Sequence, residues 1–220
     1  MLQDTFFSEG EGDAWYERNR DTYQPAKDPV IRRLRSQNIH PRDILEIGAS
    51  RGARLAELHE RYQASVTGMD PSAAAVADGK KSFPAVRFFV GTAKSLPLSD
   101  ESCDLIIANG VLCWIDRKSL LASAAEIDRV LVPGGHLLIG DFAPYSPKKV
   151  RYHHRPDAEI FTYKQDYGAL FLATAGYVLL AQQVFNHETQ EAATDISERE
   201  RFAVTILQKI AGGTYAEPTH

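Results

Sequence analysis

Ile44-Leu45-Glu46-Ile47-Gly48-Ala49-Ser50-Arg51-Gly52 decides how this chain is read. Ile44, Leu45 and Ile47 form the near-continuous apolar run of a strand covered on both faces. Gly48 and Gly52 then mark a sharp turn or a close backbone approach. Leu55, Leu58 and Tyr62 follow at helical spacing. Glu46 is the anomaly, because a carboxylate inside such a strand is costly to bury without partners.

Outward from this turn the strand–helix unit repeats. A strand over 65–69 ends at Asp70, and Pro71-Ser72 opens a helix over 71–81, with proline where its missing N–H leaves nothing unsatisfied. A strand over 86–90 ends at Gly91, and another over 104–109 follows a loop. An amphipathic helix over 117–132 carries Leu120, Ala124, Ile127 and Leu131 on one face, with Pro133-Gly134-Gly135 as its stop, and a fifth strand spans 136–142. Alternation of this kind signals a parallel sheet with helices on both faces, an α/β fold.

The flanks differ from this core of 43–142. Residues 1–42 read as a cap: a flexible lead to Gly12, a short helix over 13–20 with Asp13 as its cap, and a second helix over 30–37. Residues 143–176 read as a loop-like insertion with Pro144, Pro147 and Pro156, then a helix over 165–174. Strands over 177–185 and 201–210 close the chain, with a polar connection between them and a frayed tail after Gly212. The whole reads as a single domain of 220 residues.

Net charge is −4, without the basic excess of a nucleic-acid binder. The two cysteines, Cys103 and Cys113, complete no metal site and suit a reducing compartment. The first residues lack the order of a signal peptide, and no stretch has the length of a membrane span, so the expectation is a cytoplasmic protein with no membrane partner and no metal. Oligomeric state is not legible.

In a doubly wound sheet, ligands sit outside the carboxyl ends of the strands. Gly48, Asp70, Gly91-Thr92 and Asn109-Gly110 all lie at such ends. Asp70, about twenty residues after the turn, is placed to accept from both hydroxyls of a ribose, or else caps the following helix. A dinucleotide site is the rival, but between Gly48 and Gly52 stand Ala49, Ser50 and Arg51, so the middle glycine of G-x-G-x-x-G is missing. Two carboxylates, Glu46 and Asp70, would repel a pyrophosphate and suit a cationic cofactor.

The stretches Leu45-Glu46-Ile47-Gly48-Ala49-Ser50-Arg51-Gly52, Met69-Asp70-Pro71-Ser72, Gly91-Thr92-Ala93-Lys94-Ser95-Leu96-Pro97, Asp104-Leu105-Ile106-Ile107 and Leu131-Val132-Pro133-Gly134-Gly135-His136-Leu137 together resemble the class I S-adenosylmethionine-dependent methyltransferases, in particular the type-11 group. The resemblance covers about 43–142. It implies a Rossmann-like, seven-stranded, mostly parallel sheet with an antiparallel last strand, and S-adenosylmethionine as cofactor. By the same resemblance Glu46 and Gly48 belong to the motif that packs against the methionine part, Asp70 holds the ribose, Thr92 and Ala93 contact the adenine edge, Asn109 and Gly110 flank the sulfonium, and Ala49, Ser50, Gly52 and Pro71 are further cofactor-binding residues. Ser50 stands where the family often has glycine, and Thr92 where it often has aspartate.

A small-molecule acceptor is expected, with an oxygen or nitrogen nucleophile on a sugar-like or secondary-metabolite framework. Asn109-Gly110-Val111-Leu112 lacks the Asn-Pro-Pro-aromatic run of enzymes that methylate amino groups of bases. An alcohol nucleophile needs a base. His153 and His154 are the candidates, or else two surface histidines. Arg151, Arg155 and Lys164 are candidates to clamp an anion. Trp15 and Tyr16 read as a lid, or as aromatic glue for the cap; Arg18 is a candidate for the cofactor carboxylate, and Tyr152 and Tyr163 for the substrate side. A cofactor-binding protein without catalysis and a nicotinamide-dependent oxidoreductase remain the alternatives.

Overall fold

The apolar runs assemble into one central sheet in the computed structural model, which describes residues 3–189, 191–192 and 195–212. In chain order the strands are β1 (Asp43–Ile47), β2 (Ser65–Asp70), β3 (Val86–Val90), β4 (Cys103–Asn109), β5 (Leu131–Phe142), β6 (Lys148–Arg151), β7 (Phe161–Lys164), β8 (Tyr177–Asn186) and β9 (Arg201–Lys209). Seven of them form the sheet β3-β2-β1-β4-β5-β9-β8, in which β9 is antiparallel to both neighbours. The chain runs outward from β1 to β3, then returns to place β4 on the other side of β1. That reversal opens a crevice beyond the carboxyl ends of β1 and β4.

Alternate side chains divide between two cores, as strand geometry requires. Leu45, Ile47, Ile106 and Leu137 face α6 (Leu120–Val130) and α7 (Gly168–Leu172) through Ile127, Val130 and Phe171. Ile44, Leu105, Ile107 and Leu138 face α3 (Pro29–Ser36), α4 (Ala53–Tyr62) and α5 (Ala73–Ser82) through Leu34, Leu55 and Val76.

Four local expectations are corrected. The lead before Gly12 is ordered: α1 (Gln3–Phe6) and a kinked turn at Gly10 bury Gln3, Phe7 and Glu11 before α2 (Gly12–Asn19) begins. Asp13 does not cap α2. Its carboxylate accepts from Ser72 Oγ (2.6 Å) and Ala74 N (3.1 Å) at the start of α5, whose N-cap is Ser72. The approach needs Gly12, where a Cβ would lie 2.7 Å from Phe7 O and 3.2 Å from Ser72 N. The insertion is not mere loop, because β6 and β7 pair as an antiparallel ribbon. Pro133-Gly134-Gly135 does not stop a helix: α6 has already ended at Val130, and the three residues lie within β5. The tail expected to fray after Gly212 lies outside the described residues.

Candidate functional site

A cavity of about 600 Å³ occupies the crevice. Gly48, Asp70, Pro71, Thr92, Ala93, Asn109 and Gly110 all line it, brought from four strand ends to one wall by the sheet order. Ala49, Ser50 and Gly52 do not; they shape the turn. Gly48 has φ 71° and Gly52 φ 80°, and a Cβ at either would overlap Val111 or Phe88. The amides of Gly48 and Ala49 donate to Met69 O at 2.8 and 3.0 Å. Ser50 adopts the left-handed conformation, φ 50°, that glycine would take more readily. Its amide donates to Asp70 Oδ2 at 2.7 Å, and the amide of Ser72 donates to Oδ1 at 2.9 Å. Burial pushes the Asp70 carboxyl up to about 6, against the pull of those two N–H groups. Each oxygen still has capacity for another donor from the cavity. Arg51 turns away, pairing with Asp78 at 3.5 Å.

Glu46 does not line the cavity. It is 1% exposed and pairs with Arg54 Nη1, while Arg54 Nε donates to Asp28 Oδ2 at 2.7 Å. Arg54 and Asp28 are both in the wall. Burial lifts the Glu46 carboxyl to about 7, and the two acids raise the basicity of Arg54. The anomalous strand carboxylate therefore holds a cation at the mouth of the turn. Asp28 also caps α3 through Oδ1, so one ionic bridge ties the cap to the first strand–helix unit.

At the other end the cavity becomes aromatic. Trp15 lines it with Phe7 and Trp114. Phe7 stacks on Trp114 at 5.7 Å, and Trp15 meets Trp114 edge-on at 6.1 Å. Tyr16 instead donates to Asp78 on α5, with its hydroxyl pushed up to about 12 chiefly by burial. Arg18 is turned from any cofactor carboxylate by its pair with Glu11, and Tyr152 OH donates to the same Glu11 at 2.9 Å. Tyr163 lies under the Arg117 guanidinium at 4.3 Å, and Lys164 Nζ sits 3.6 Å over Phe142. None of these five is in the cavity wall.

His153 and His154 are exposed, their rings 3.8 Å apart on the outer side of Tyr152, and neither lines the cavity. The expectation that one of them takes a substrate proton does not match this placement. Arg155 is paired with Asp157 and Arg151 is exposed beside Phe161, so neither of these two candidate clamps faces the cavity, whose wall cations are Lys27 and Arg54. Sequence reading missed Phe7, Arg54, Trp114, His187, Glu188 and Phe202 in the wall. Arg54 was findable, one turn after Gly48 and in reach of an acid that needed a partner. The others arrive by tertiary packing alone.

Cys103 and Cys113 are free and buried, and burial lifts the Cys103 thiol to about 11. Among the described residues, no helix is long and apolar enough to cross a membrane and no group of three His, Cys, Asp or Glu is placed to hold a metal ion.

Residues 45–139 match the methyltransferase-domain family. The malonyl-[acyl-carrier protein] O-methyltransferase 1 of Coxiella burnetii is 32% identical over 124 residues, 56% of this chain and 42% of that protein. The phthiotriol/phenolphthiotriol dimycocerosates methyltransferase of Mycobacterium leprae is 32% identical over 111 residues, 49% of this chain and 40% of that protein. The chain thus spans less than half the length of these curated relatives. Among solved structures, the Burkholderia thailandensis 1,6-didemethyltoxoflavin-N1-methyltransferase, with its substrate and S-adenosylhomocysteine bound, superposes with a TM-score of 0.70 at 20% identity, covering 90% of this chain and 85% of its own. That likeness is one of fold. Taken with the sheet order and the motifs set around its crevice, the match identifies residues 45–139 as a methyltransferase domain of the class I S-adenosylmethionine-dependent kind.

Proposed function

We propose that the protein transfers a methyl group from S-adenosylmethionine to an oxygen or nitrogen of a small-molecule acceptor. The observation that carries this is a single cavity that joins the strand-end residues to an aromatic chamber. Asp70 is the ribose ligand, with two acceptor directions left after its bonds to Ser50 and Ser72. Gly91, Thr92 and Ala93 surround the adenine, and Gly48 lets the backbone approach the methionine part. Asn109 lines the wall where the sulfonium is expected, with its side-chain oxygen buried against Gly140. Among the wall's acids Asp28 is already paired with Arg54, while Asp4, Asp70 and Glu188 offset the charge of Lys27 and suit a cation.

The bound sulfonium supplies an activated methyl carbon; the protein's task is to align the acceptor with it and exclude water. Phe7, Trp15, Val111 and Trp114 form the apolar side that does so. The relatives named above act on a malonyl thioester carrier, a phthiotriol lipid and a fused heteroaromatic ring. The ring walls of Phe7, Trp15 and Trp114 favour an acceptor with an apolar ring framework. Calorimetry against S-adenosylmethionine, S-adenosylhomocysteine and NAD tests the reading. Heat with the first two and none with NAD is expected. No heat with either sulfur ligand overturns it, and binding without methyl transfer to any of a broad acceptor panel leaves a binding protein instead.

A further inference from the structure

We propose that His187 is the proton acceptor of this site and that the chamber beside it takes a planar aromatic acceptor bearing a hydroxyl, an inference that rests on the methyl-transfer function proposed above. His187 lies in the turn after β8 and lines the cavity with Glu188, Thr189 and Phe202. Its ring is held between Phe142 at 4.9 Å and Phe202 at 5.3 Å. Its own amide donates to Glu200 O at 2.9 Å. The amides of Glu188 and Thr189 both donate to Asn186 Oδ1, at 2.8 and 3.1 Å. The turn is therefore built from both sides, and the imidazole is presented by a fixed backbone and two fixed rings.

The charged groups around the imidazole are Lys164 on β7 and the carboxylates Glu188 and Glu200. His187 stands at the exposed rim of the cavity; the part of its ring that packs on the phenyl rings, then Lys164, holds its pKa below the ordinary histidine value, which favours the neutral, proton-accepting form at neutral pH. The chamber supplies the second half of the argument. Phe7, Trp15, Trp114 and Phe202 present ring surfaces, and Trp114 is fixed by Nε1 donating to Thr162 Oγ1 at 3.2 Å. A flat ring makes the most of such walls, and a hydroxyl carried into an apolar chamber must find an acceptor.

In the step itself, a lone pair of the hydroxyl oxygen forms the new C–O bond. The electron pair of the breaking C–S bond stays on sulfur, which becomes a neutral thioether. The hydroxyl proton passes to the His187 imidazole and from there to solvent at the cavity mouth. Charge and atoms balance without another reactant.

The test compares wild type with His187→Gln on two phenols, 4-methylphenol, which is un-ionised at neutral pH, and 4-nitrophenol, which is largely ionised at about pH 8. Methyl ether and S-adenosylhomocysteine formation are followed by mass spectrometry, and S-adenosylhomocysteine binding by calorimetry. A positioned base contributes about 100-fold or more. The ratio of the 4-nitrophenol rate to the 4-methylphenol rate is therefore expected to rise about 100-fold in the variant, while S-adenosylhomocysteine still binds. A ratio that does not move overturns the base assignment. Cofactor binding by wild type with neither phenol methylated overturns the acceptor class, and absence of cofactor binding is the separate failure of the function itself.

Discussion

Asp70→Asn is nearly isosteric, yet the structure makes it a severe change. Both carboxylate oxygens of Asp70 already accept a backbone N–H, from Ser50 at 2.7 Å and Ser72 at 2.9 Å. An amide has one acceptor oxygen, so its NH₂ must face one of those N–H groups, donor against donor. Leaving a buried N–H unsatisfied destabilises a fold by about 1–3 kcal/mol. The ribose hydroxyls also lose a charged acceptor, worth about 1.5–3 kcal/mol, which weakens S-adenosylhomocysteine binding about 10- to 150-fold. A pH signature separates this from general damage. The wild-type carboxyl sits at about 6 because it is buried, and donors from the ribose favour its ionised form. Wild-type affinity is therefore flat above that pH and declines below it, where binding must expel a proton; the variant has no such decline. Calorimetry between about pH 5 and pH 8 and urea unfolding at the upper end measure both effects. Binding within roughly threefold of wild type, or the same acid decline in the variant, would falsify the ribose assignment.

Arg54→Met strands Glu46 and Asp28 without their shared cation, and is expected to cost about 3–5 kcal/mol in urea unfolding at pH 8. The deficit shrinks on acidification as Glu46 takes up a proton; a deficit under about 1 kcal/mol would show that the bridge contributes little. Ser50→Gly relieves a left-handed residue in the turn and should raise stability by about 0.5–1 kcal/mol, about 1–4 °C in melting temperature, and no gain would argue that the Ser50 side chain has a compensating contact. Asp141 ends β5, is 3% exposed, and is held at about 7 by burial despite donors from Cys113 N and Phe142 N. The folded chain keeps a proton there that the unfolded chain releases near pH 4, so this contribution is complete below about pH 4 and is lost as the pH rises through 7. The stability of wild type relative to Asp141→Asn should therefore fall by on the order of 1–3 kcal/mol over that interval, and a constant difference across it refutes the burial argument.

The cofactor half of the proposed site is written locally in the sequence. Gly48, Asp70, Thr92 and Asn109 each end a strand whose apolar run is plain, and a parallel sheet leaves them no other edge to occupy. Glu46 was legible as a problem and not as a solution: its position in a buried strand demanded a partner, but the partner Arg54 shares its charge with Asp28 from a separate cap. The acceptor half was not legible, for a physical reason. Chemical richness in Arg151-Tyr152-His153-His154-Arg155 drew attention to a stretch whose only buried member is Tyr152, locked against Glu11 and Phe7. His187, in a segment that reads as polar connection, is the histidine that reaches the cavity, because β8 ends and β9 begins next to the crevice and Phe142 and Phe202 flank it there.

This division has a consequence for how the two halves can vary. The cofactor wall is fixed by main-chain geometry: positive φ at Gly48 and Gly110, and backbone amides on Asp70. Substitution there strains the sheet itself. The acceptor wall is assembled from side chains on three segments that share no strand: the N-terminal cap with Phe7 and Trp15, the turn after β4 with Trp114, and the turn after β8 with His187. The cap is held down by the close approach of Gly12 to Ser72, by Asp13 at the head of α5 and by the Glu11, Arg18 and Tyr152 cluster; Asp13, Glu11 and Arg18 lie outside the cavity wall, whereas Gly12 lines it and Tyr152 packs on Phe7 and Trp114. Phe7, Trp15 and Trp114 can therefore change shape while Asp13, Glu11 and Arg18 stay constant, so acceptor choice is set by surfaces that the cofactor does not constrain. On the proposed function, a chain built this way would keep one methyl donor while changing what receives the methyl group, and the match over 45–139, which covers the donor side of the crevice, leaves the acceptor to be read from the chamber.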